Sequence, residues 1–423
     1  MARIGVFGLI MSPQTGGGYR FLDALMANAR HSRHEFLYMS HAPRDSDAPL
    51  PDTVTWIGRP RRRVVALQAL LAVPRTESLL SRPRLARSLV GSVAGVDRRL
   101  FAHADLWLWP HTCMPIPQLG PPIVAIAHDM IYRHVPGAFS RREIAMRRAA
   151  ERSMPDCAAL LCPSRHTREE VIGAYPVMAE RTFTFAEAPS EVLDAARCEE
   201  ELDVVARRFG DRPFLLNVGL DWPHKNHELL LRMAAELGAR QPEGSPVIVL
   251  VGHRRGTRLQ RAIAAANLAD RVVDVGRVSR PMLTAFYRRA AALLFPSKHE
   301  GFGLPLVEAM HYGLPILASD RSCIPEIVDG SGELLPADDH LAWANAVEAL
   351  LGASSYRADL IARSRRGRER YTWPRTWSRL DEVFDRVLKV EAGSGPSADR
   401  ESSPLSPSGA ARANATLLSA GFA

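Results

Sequence analysis

Lysine is almost missing from this chain: of 54 basic residues, only Lys225, Lys298 and Lys389 are lysine. Coding bias alone can produce such an arginine preference, yet it makes each retained lysine worth locating. Cysteine is sparse too. The five, at positions 113, 157, 162, 198 and 323, form no CxxC pair and are odd in number. That excludes a disulfide framework and fits a reducing compartment. Long apolar runs are lacking: no window approaches the roughly 18 residues of a membrane-spanning helix. The stretch Ile4–Met11 is too short to span a bilayer and lacks a convincing cleavage site, so it reads as a first core strand and the chain as cytoplasmic. Zinc-finger spacing, RNA-binding aromatic motifs and the GxGxxG dinucleotide fingerprint are absent as well. Despite a formal charge of +8, no nucleic-acid partner is expected.

What is present is ordinary in bulk and specific in detail. A chain of 423 residues with 46% hydrophobic and 24% charged residues has the make-up of a soluble globular protein of two or three domains. Apolar runs alternate with amphipathic stretches, which predicts parallel sheets covered by helices on both faces. Strands are expected at Ile4–Ile10, Phe36–Ser40, Leu106–Trp109, Ile123–Ala127 and Ala158–Cys162. A second set follows at Phe214–Val218, Val247–Val251, Val272–Val275, Ala292–Phe295 and Ile316–Ala318. The spacing implies two Rossmann-like doubly wound domains facing across a cleft, with ligands at the carboxyl ends of their strands. Residues 1–195 form the first domain and 196–375 the second. An amphipathic helix at 376–390 follows. The tail, 391–423, is rich in Ser, Pro, Gly and Ala and is expected to be disordered.

The most informative segment is Pro296–Pro315, PSKHEGFGLPLVEAMHYGLP. It places Glu300 and Glu308 on either side of a turn, Gly301-Phe302-Gly303-Leu304, that follows a buried strand and opens a helix. Pro305 suits the first helical position, where a missing N–H is no loss. The free N–H groups at such a helix start make an anion site. An acid beside a phosphate would repel it, so Glu308 suits neutral hydroxyls just beyond, such as a ribose. The pattern describes a pocket for a nucleotide joined to something rich in hydroxyls.

With its paired glutamates around Gly-Phe-Gly-Leu-Pro, and the continuation through Gly313-Leu314-Pro315 to Ser322-Cys323-Ile324-Pro325-Glu326, the chain resembles the family-4 (group 1) retaining glycosyltransferases of GT-B architecture. The resemblance covers most of residues 1–390 and is strongest over 214–335. It implies that the second domain holds a nucleotide-diphosphate sugar, that the first presents the acceptor, and that the helix at 376–390 returns to pack on the first domain. It implies that Lys225, with Asn226, contacts the diphosphate. A fixed cation there stabilises charge that grows as the glycosidic bond breaks. Many members also carry an arginine at the position of Leu220 or of His224. Its absence leaves Lys225 and the helix N-terminus with more of the charge. His128, at the end of Ile123–Ala127, would lie beside the transferred sugar as a neutral imidazole, with Asp129 orienting it or capping the next segment. Gly17 and Gly18, in Thr15-Gly-Gly-Gly18, would line the cleft, with Arg20 just after them. Glu300 would face the donor sugar.

On this reading the reaction is a front-face substitution with retention of configuration, needing neither metal nor cofactor. No first-domain carboxylate stands out as the nucleophile of a double displacement. Asp45-Ser46-Asp47 imitates a metal-binding DxD but lies in a Pro- and Asp-rich loop, and Asp338-Asp339 reads as a helix start. The Pro-His-Lys-Asn variant resembles members that transfer mannose or similar hexoses to glycan or lipid-linked acceptors in surface polysaccharide. The basic, apolar stretch 59–87 (Arg59-Pro-Arg-Arg-Arg63, Val64–Val73, then Arg75, Arg82, Arg84 and Arg87) reads either as a solvated helix rim or as a peripheral contact with the inner face of a membrane. Two rivals stay open. One is a nucleotide-sugar epimerase of the same architecture, and the other a non-catalytic nucleotide-sugar-binding protein.

Overall fold

The structure is a computed structural model that describes residues 1–8, 17–41, 50–59, 61–71, 73, 77–112, 114–189, 195–252 and 257–393. Thr15, Gly16, Asp45–Asp47, Pro60, Arg75, Cys113, Arg254, Arg255 and the tail from 394 lie outside the described residues.

Two parallel sheets carry the fold. The first contains β1 (Arg3–Phe7), β2 (Glu35–His41), β3 (Val54–Arg59), β4 (Leu106–Trp109), β5 (Ile123–Ile126), β6 (Ala159–Cys162) and β7 (Thr182–Thr184). Its order is β3-β2-β1-β4-β5-β6-β7. The second contains β8 (Phe214–Val218), β9 (Val247–Val251), β10 (Val272–Gly276), β11 (Ala292–Phe295), β12 (Ile316–Ser319) and β13 (Glu333–Leu335), in the order β10-β9-β8-β11-β12-β13. Every ladder is parallel, as expected for strands joined by helical crossovers. The order reverses between β1 and β4 in one sheet and between β8 and β11 in the other, so each sheet has a switch point where its crossovers part and leave a crevice.

The central strands are apolar on both faces because helices cover both. In the second sheet Leu216, Leu293, Phe295, Ile316 and Ala318 join one buried cluster, while their neighbours Leu215, Ala292, Leu294 and Leu317 join another. Three strands were not anticipated: β3, β7 and β13. All are edge strands, and β7 (Thr-Phe-Thr) and β13 (Glu-Leu-Leu) are too short to show a pattern.

The last described helix, Trp373–Gly393, starts earlier and runs slightly further than the sequence suggested. It packs on the first sheet, not the second: Trp377, Leu380, Val383, Phe384 and Val387 belong to the core of β1–β6, and Trp377 lies 5.0 Å from the Phe36 ring. Thr376 Oγ1 donates to the Ala186 carbonyl at 2.8 Å, and Ser32 Oγ to Asp381 at 2.7 Å.

The domains meet where the carboxyl ends of β5 and β11 face each other. Ser164 caps the helix Arg165–Ala174 by accepting from Thr167 N at 3.1 Å. Both hydroxyls, Ser164 Oγ and Thr167 Oγ1, donate across to the Gly301 carbonyl at 2.8 and 3.1 Å. Glu326 of the second domain reaches the same helix start and accepts from Arg165 N at 2.9 Å and His166 N at 3.2 Å. Its negative charge sits where the helix's free N–H groups favour it. Ser164→Ala removes the cap and one bridge together. It should cost about 1–2 kcal/mol in chemical denaturation.

Candidate active site

Residues 296–303 leave the end of β11 and turn into the helix Leu304–Tyr312. Leu304 is its first residue and Pro305 its second, one place later than the spacing suggested. Gly303 caps it at φ +105°, a left-handed conformation that a side chain would disfavour. Gly301 is required for a different reason. A Cβ built on it would fall 1.7 Å from the His128 carbonyl oxygen and 3.2 Å from Asp129 Cβ. The loop of one domain therefore lies backbone to backbone against the strand end of the other. Phe302 is buried and meets Tyr371 edge-on at 5.8 Å. Leu304 packs against the cores of both domains.

Lys225 closes the turn after β8, and its Nζ donates to Glu300 Oε1 at 2.6 Å. Both side chains are largely buried, at 16% and 11% exposure. Burial alone would raise the Glu300 carboxyl, but the charge of Lys225, helped by His224 and by hydrogen bonds from Lys225 and Ser297, holds it below its ordinary 4.5. Ser322, itself at φ +56°, grips the Glu300 backbone by accepting from its N at 3.2 Å and donating to its carbonyl at 2.8 Å. His224 is driven down to about 4, by burial first and by Lys225 second. It is neutral near pH 7, so Lys225 carries the positive charge of this turn.

Asn226 sits beneath the loop rather than in the cleft. It is buried at φ +59°, and its Nδ2 donates to the Pro296 and Ala337 carbonyls at 3.1 and 2.8 Å. Its side chain ties the Lys225 turn to β11, which is a supporting task instead of the expected donor contact.

His128 also departs from expectation. Its Nε2 lies 2.9 Å from the Pro110 carbonyl and its Nδ1 3.1 Å from Glu187 Oε1. Both neighbours accept hydrogen bonds, so an imidazolium satisfies them and a neutral ring does not. Burial pulls its pKa down, yet the hydrogen bond and charge of Glu187, with Pro110 and Asp129, raise it above 6.5. Asp129 accepts from Ile131 N at 3.1 Å and so caps the following turn. A raised histidine pKa contributes stability that is complete below 6.5 and fades as pH climbs through the folded value. Glu187→Gln removes that contribution. Its cost in urea denaturation should therefore be larger at about pH 6 than at about pH 8.5.

Glu308, one turn into its helix, accepts from Arg280 Nη1 at 3.0 Å and from the Tyr287 hydroxyl at 2.8 Å. Arg280 and Tyr287 stand seven residues apart on the helix Arg280–Arg289, hence on one face. Neither they nor Glu187 were singled out in the sequence. The seven-residue spacing is the signal that could have found the first two. Gly17 and Gly18 form the first turn of the helix Gly17–Ala27, which follows β1, and Arg20 lies in its next positions. Asp339 caps the helix His340–Gly352 by accepting from Leu341 N and Ala342 N. Lys298 is half exposed and pairs with Asp338 at 3.4 Å.

Residues 199–367 match the family model for glycosyl transferases group 1, and residues 15–185 match that for Glycosyltransferase Family 4. The two matches fall on the two sheets and together span most of the chain, which belongs to this family of glycosyltransferases. The alpha-D-kanosaminyltransferase of Streptomyces kanamyceticus is 29% identical over 267 residues, covering 60% of this chain and 68% of that one. The serotype-specific mannosyltransferase WbdA of Escherichia coli is 25% identical over 278 residues, 63% of this chain but only 34% of its own length. Among solved structures, Anabaena HepE in complex with UDP superposes with a TM-score of 0.63 at 17% identity, over 91% of this chain and 100% of HepE. The fold is GT-B.

Proposed function

We propose that this protein transfers a hexose, mannose by preference, from a nucleotide-diphosphate sugar to a glycan or lipid-linked acceptor of surface polysaccharide, with retention of configuration. The observation that carries the proposal is the Lys225–Glu300 pair, held at the interdomain crevice, with Lys225 in the turn after β8 and Glu300 directly before Gly301, Phe302 and Gly303. In the reaction Lys225 Nζ turns its charge to the departing diphosphate, supplying the neutralisation that a metal gives in other architectures. The N-terminus of the helix Leu304–Tyr312 adds its free N–H groups. Glu300, held ionised, faces the sugar, and Glu308, oriented by Arg280 and Tyr287, receives ribose hydroxyls.

The front-face course is preferred to a double displacement on the first-domain side. The carboxylates nearest His128 are already engaged, Glu187 with the imidazole and Asp129 with a backbone N–H. The leaving phosphate oxygen then takes the acceptor proton on the same face of the sugar. The preference for mannose rests on the Pro-His-Lys-Asn turn and on the likeness to WbdA. Stretch 59–87 would meet a lipid-linked acceptor's membrane. Val65, Val73, Leu79 and Leu85 are exposed beside exposed Arg62, Arg63, Arg82 and Arg84. Among the described residues no helix is long and apolar enough to cross a membrane.

A thermal-shift screen across nucleotide diphosphates and nucleotide sugars tests the donor. The true donor should raise Tm with the logarithm of its concentration over its Kd. Proton NMR of the product then reads the anomeric configuration. Inverted product would overturn the mechanism, and stabilisation by no nucleotide sugar would overturn the function.

A further inference from the structure

Beside the candidate active site lies a cluster that the glycosyl-transfer chemistry leaves unused. His134 ends the short helix that follows β5. Glu170, with His166 one turn before it, lies on the helix Arg165–Ala174, and His299 comes from the β11 loop of the other domain. One ligand atom from each of His134, Glu170 and His299 falls within 4.8 Å of the other two. His134 Nε2 pairs with Glu170 Oε1, His299 Nε2 lies 3.7 Å from Glu170 Oε2, and His166 Nε2 lies 3.7 Å from Oε1. The His134 and His299 rings stack at 4.2 Å, and the His166 ring meets His299 at 5.6 Å.

Hydrogen bonding does not explain the arrangement. Both Glu170 oxygens, His166 Nε2 and His299 Nε2 are buried, and among the described residues none makes a hydrogen bond of acceptable geometry. Buried polar atoms are normally paired, so several converging on one point call for a partner. A single proton between carboxylate and imidazole satisfies one pair and leaves the other donors and acceptors idle. A cation satisfies them together.

We propose that His134, Glu170 and His299 form an interdomain site for a borderline divalent cation of the Zn²⁺ type. Two imidazoles and a carboxylate are the donor set for such an ion, whereas Mg²⁺ prefers oxygen ligands and retained water. Small side-chain rotations draw the three atoms in to the roughly 2.0–2.2 Å that Zn²⁺ requires. His166 stands against the carboxylate and orients it. Two ligands come from the first domain and one from the second, so the ion clamps the domains together. Because His299 directly precedes Glu300, the clamp also fixes the Glu300 loop. This ion is separate from the diphosphate chemistry, and the site does not depend on which donor the enzyme uses.

The test is calorimetric titration of the untagged full-length protein, stripped with chelator, against ZnCl₂ and MgCl₂. Zn²⁺ should bind as a single equivalent, raise Tm, and reduce the radius of gyration in X-ray scattering. Affinity should fall by about tenfold or more in both His134→Ala and Glu170→Gln, because each removes a direct ligand and even an outer-shell partner is worth about that much. His134 is half exposed, so its replacement leaves folding intact and keeps the test decisive even if Glu170→Gln misfolds. Absence of saturable Zn²⁺ binding overturns the proposal. Affinity unchanged in His134→Ala, or Mg²⁺ bound equally well, overturns it too.

Discussion

Replacing Lys225 by alanine should lower kcat by about 10²–10³, with a much smaller change in donor KM. On the proposed mechanism the cation acts on charge that is greatest in the transition state, so its loss should appear mainly in turnover. The same substitution strands Glu300. That carboxylate is largely buried and relies on Lys225, 2.6 Å away, to outweigh the burial that would otherwise raise its pKa. Removing one partner of such a pair typically costs about 3–5 kcal/mol, because the remaining charge is uncompensated. Lys225→Ala should therefore lose stability as well as activity. A double variant separates the two effects. Lys225→Ala with Glu300→Gln removes the stranded charge and should regain much of the lost stability while staying inactive. If the double variant recovered turnover, Lys225 would be a structural prop for Glu300 and the transition-state role would be withdrawn.

Gly301→Ala is expected to be nearly as severe for another reason. The added methyl collides with the His128 carbonyl, 1.7 Å from the ideal Cβ, and backbone cannot rotate aside as a side chain can. Gly301 is not in the left-handed region, and the nearest atoms its methyl would meet belong to His128 and Asp129 of the other domain. Displacing reacting groups by about 1 Å can cost about 10²-fold in rate. We expect at least that loss in kcat/KM, an unchanged far-ultraviolet circular dichroism spectrum, and a larger radius of gyration in scattering. Full activity in Gly301→Ala would mean that the observed approach of the two domains is not the reactive one.

The sequence revealed the central strands and the motif loops but not the partners that set their chemistry. β4, β8, β9 and β11 were legible to the residue because strands buried on both faces are unbroken apolar runs. β7 and β13, three residues each at sheet edges, carry no such run. Glu300, Glu308, Lys225 and His128 all lie at strand ends or helix starts, where local pattern places them. What each can do depends on residues distant in the chain. Glu187 is 59 positions from His128, and its hydrogen bond and charge raise the imidazole pKa. Arg280 is 28 positions from Glu308. Asn226 illustrates the reverse: its motif position suggested a ligand contact, but its amide turns inward and donates to the Pro296 and Ala337 carbonyls. No periodicity encodes such pairings; they arise when strand order brings distant loops to one edge.

The helix Trp373–Gly393 completes the core built by β1–β6, with Trp377 and Phe384 fully buried there. A ribosome delivers that helix only after the whole second domain has been made. Until then the nascent first domain lacks the apolar face that covers Phe36, and its core stays incomplete. Removing the helix Trp373–Gly393 would thus damage the half of the molecule made earliest.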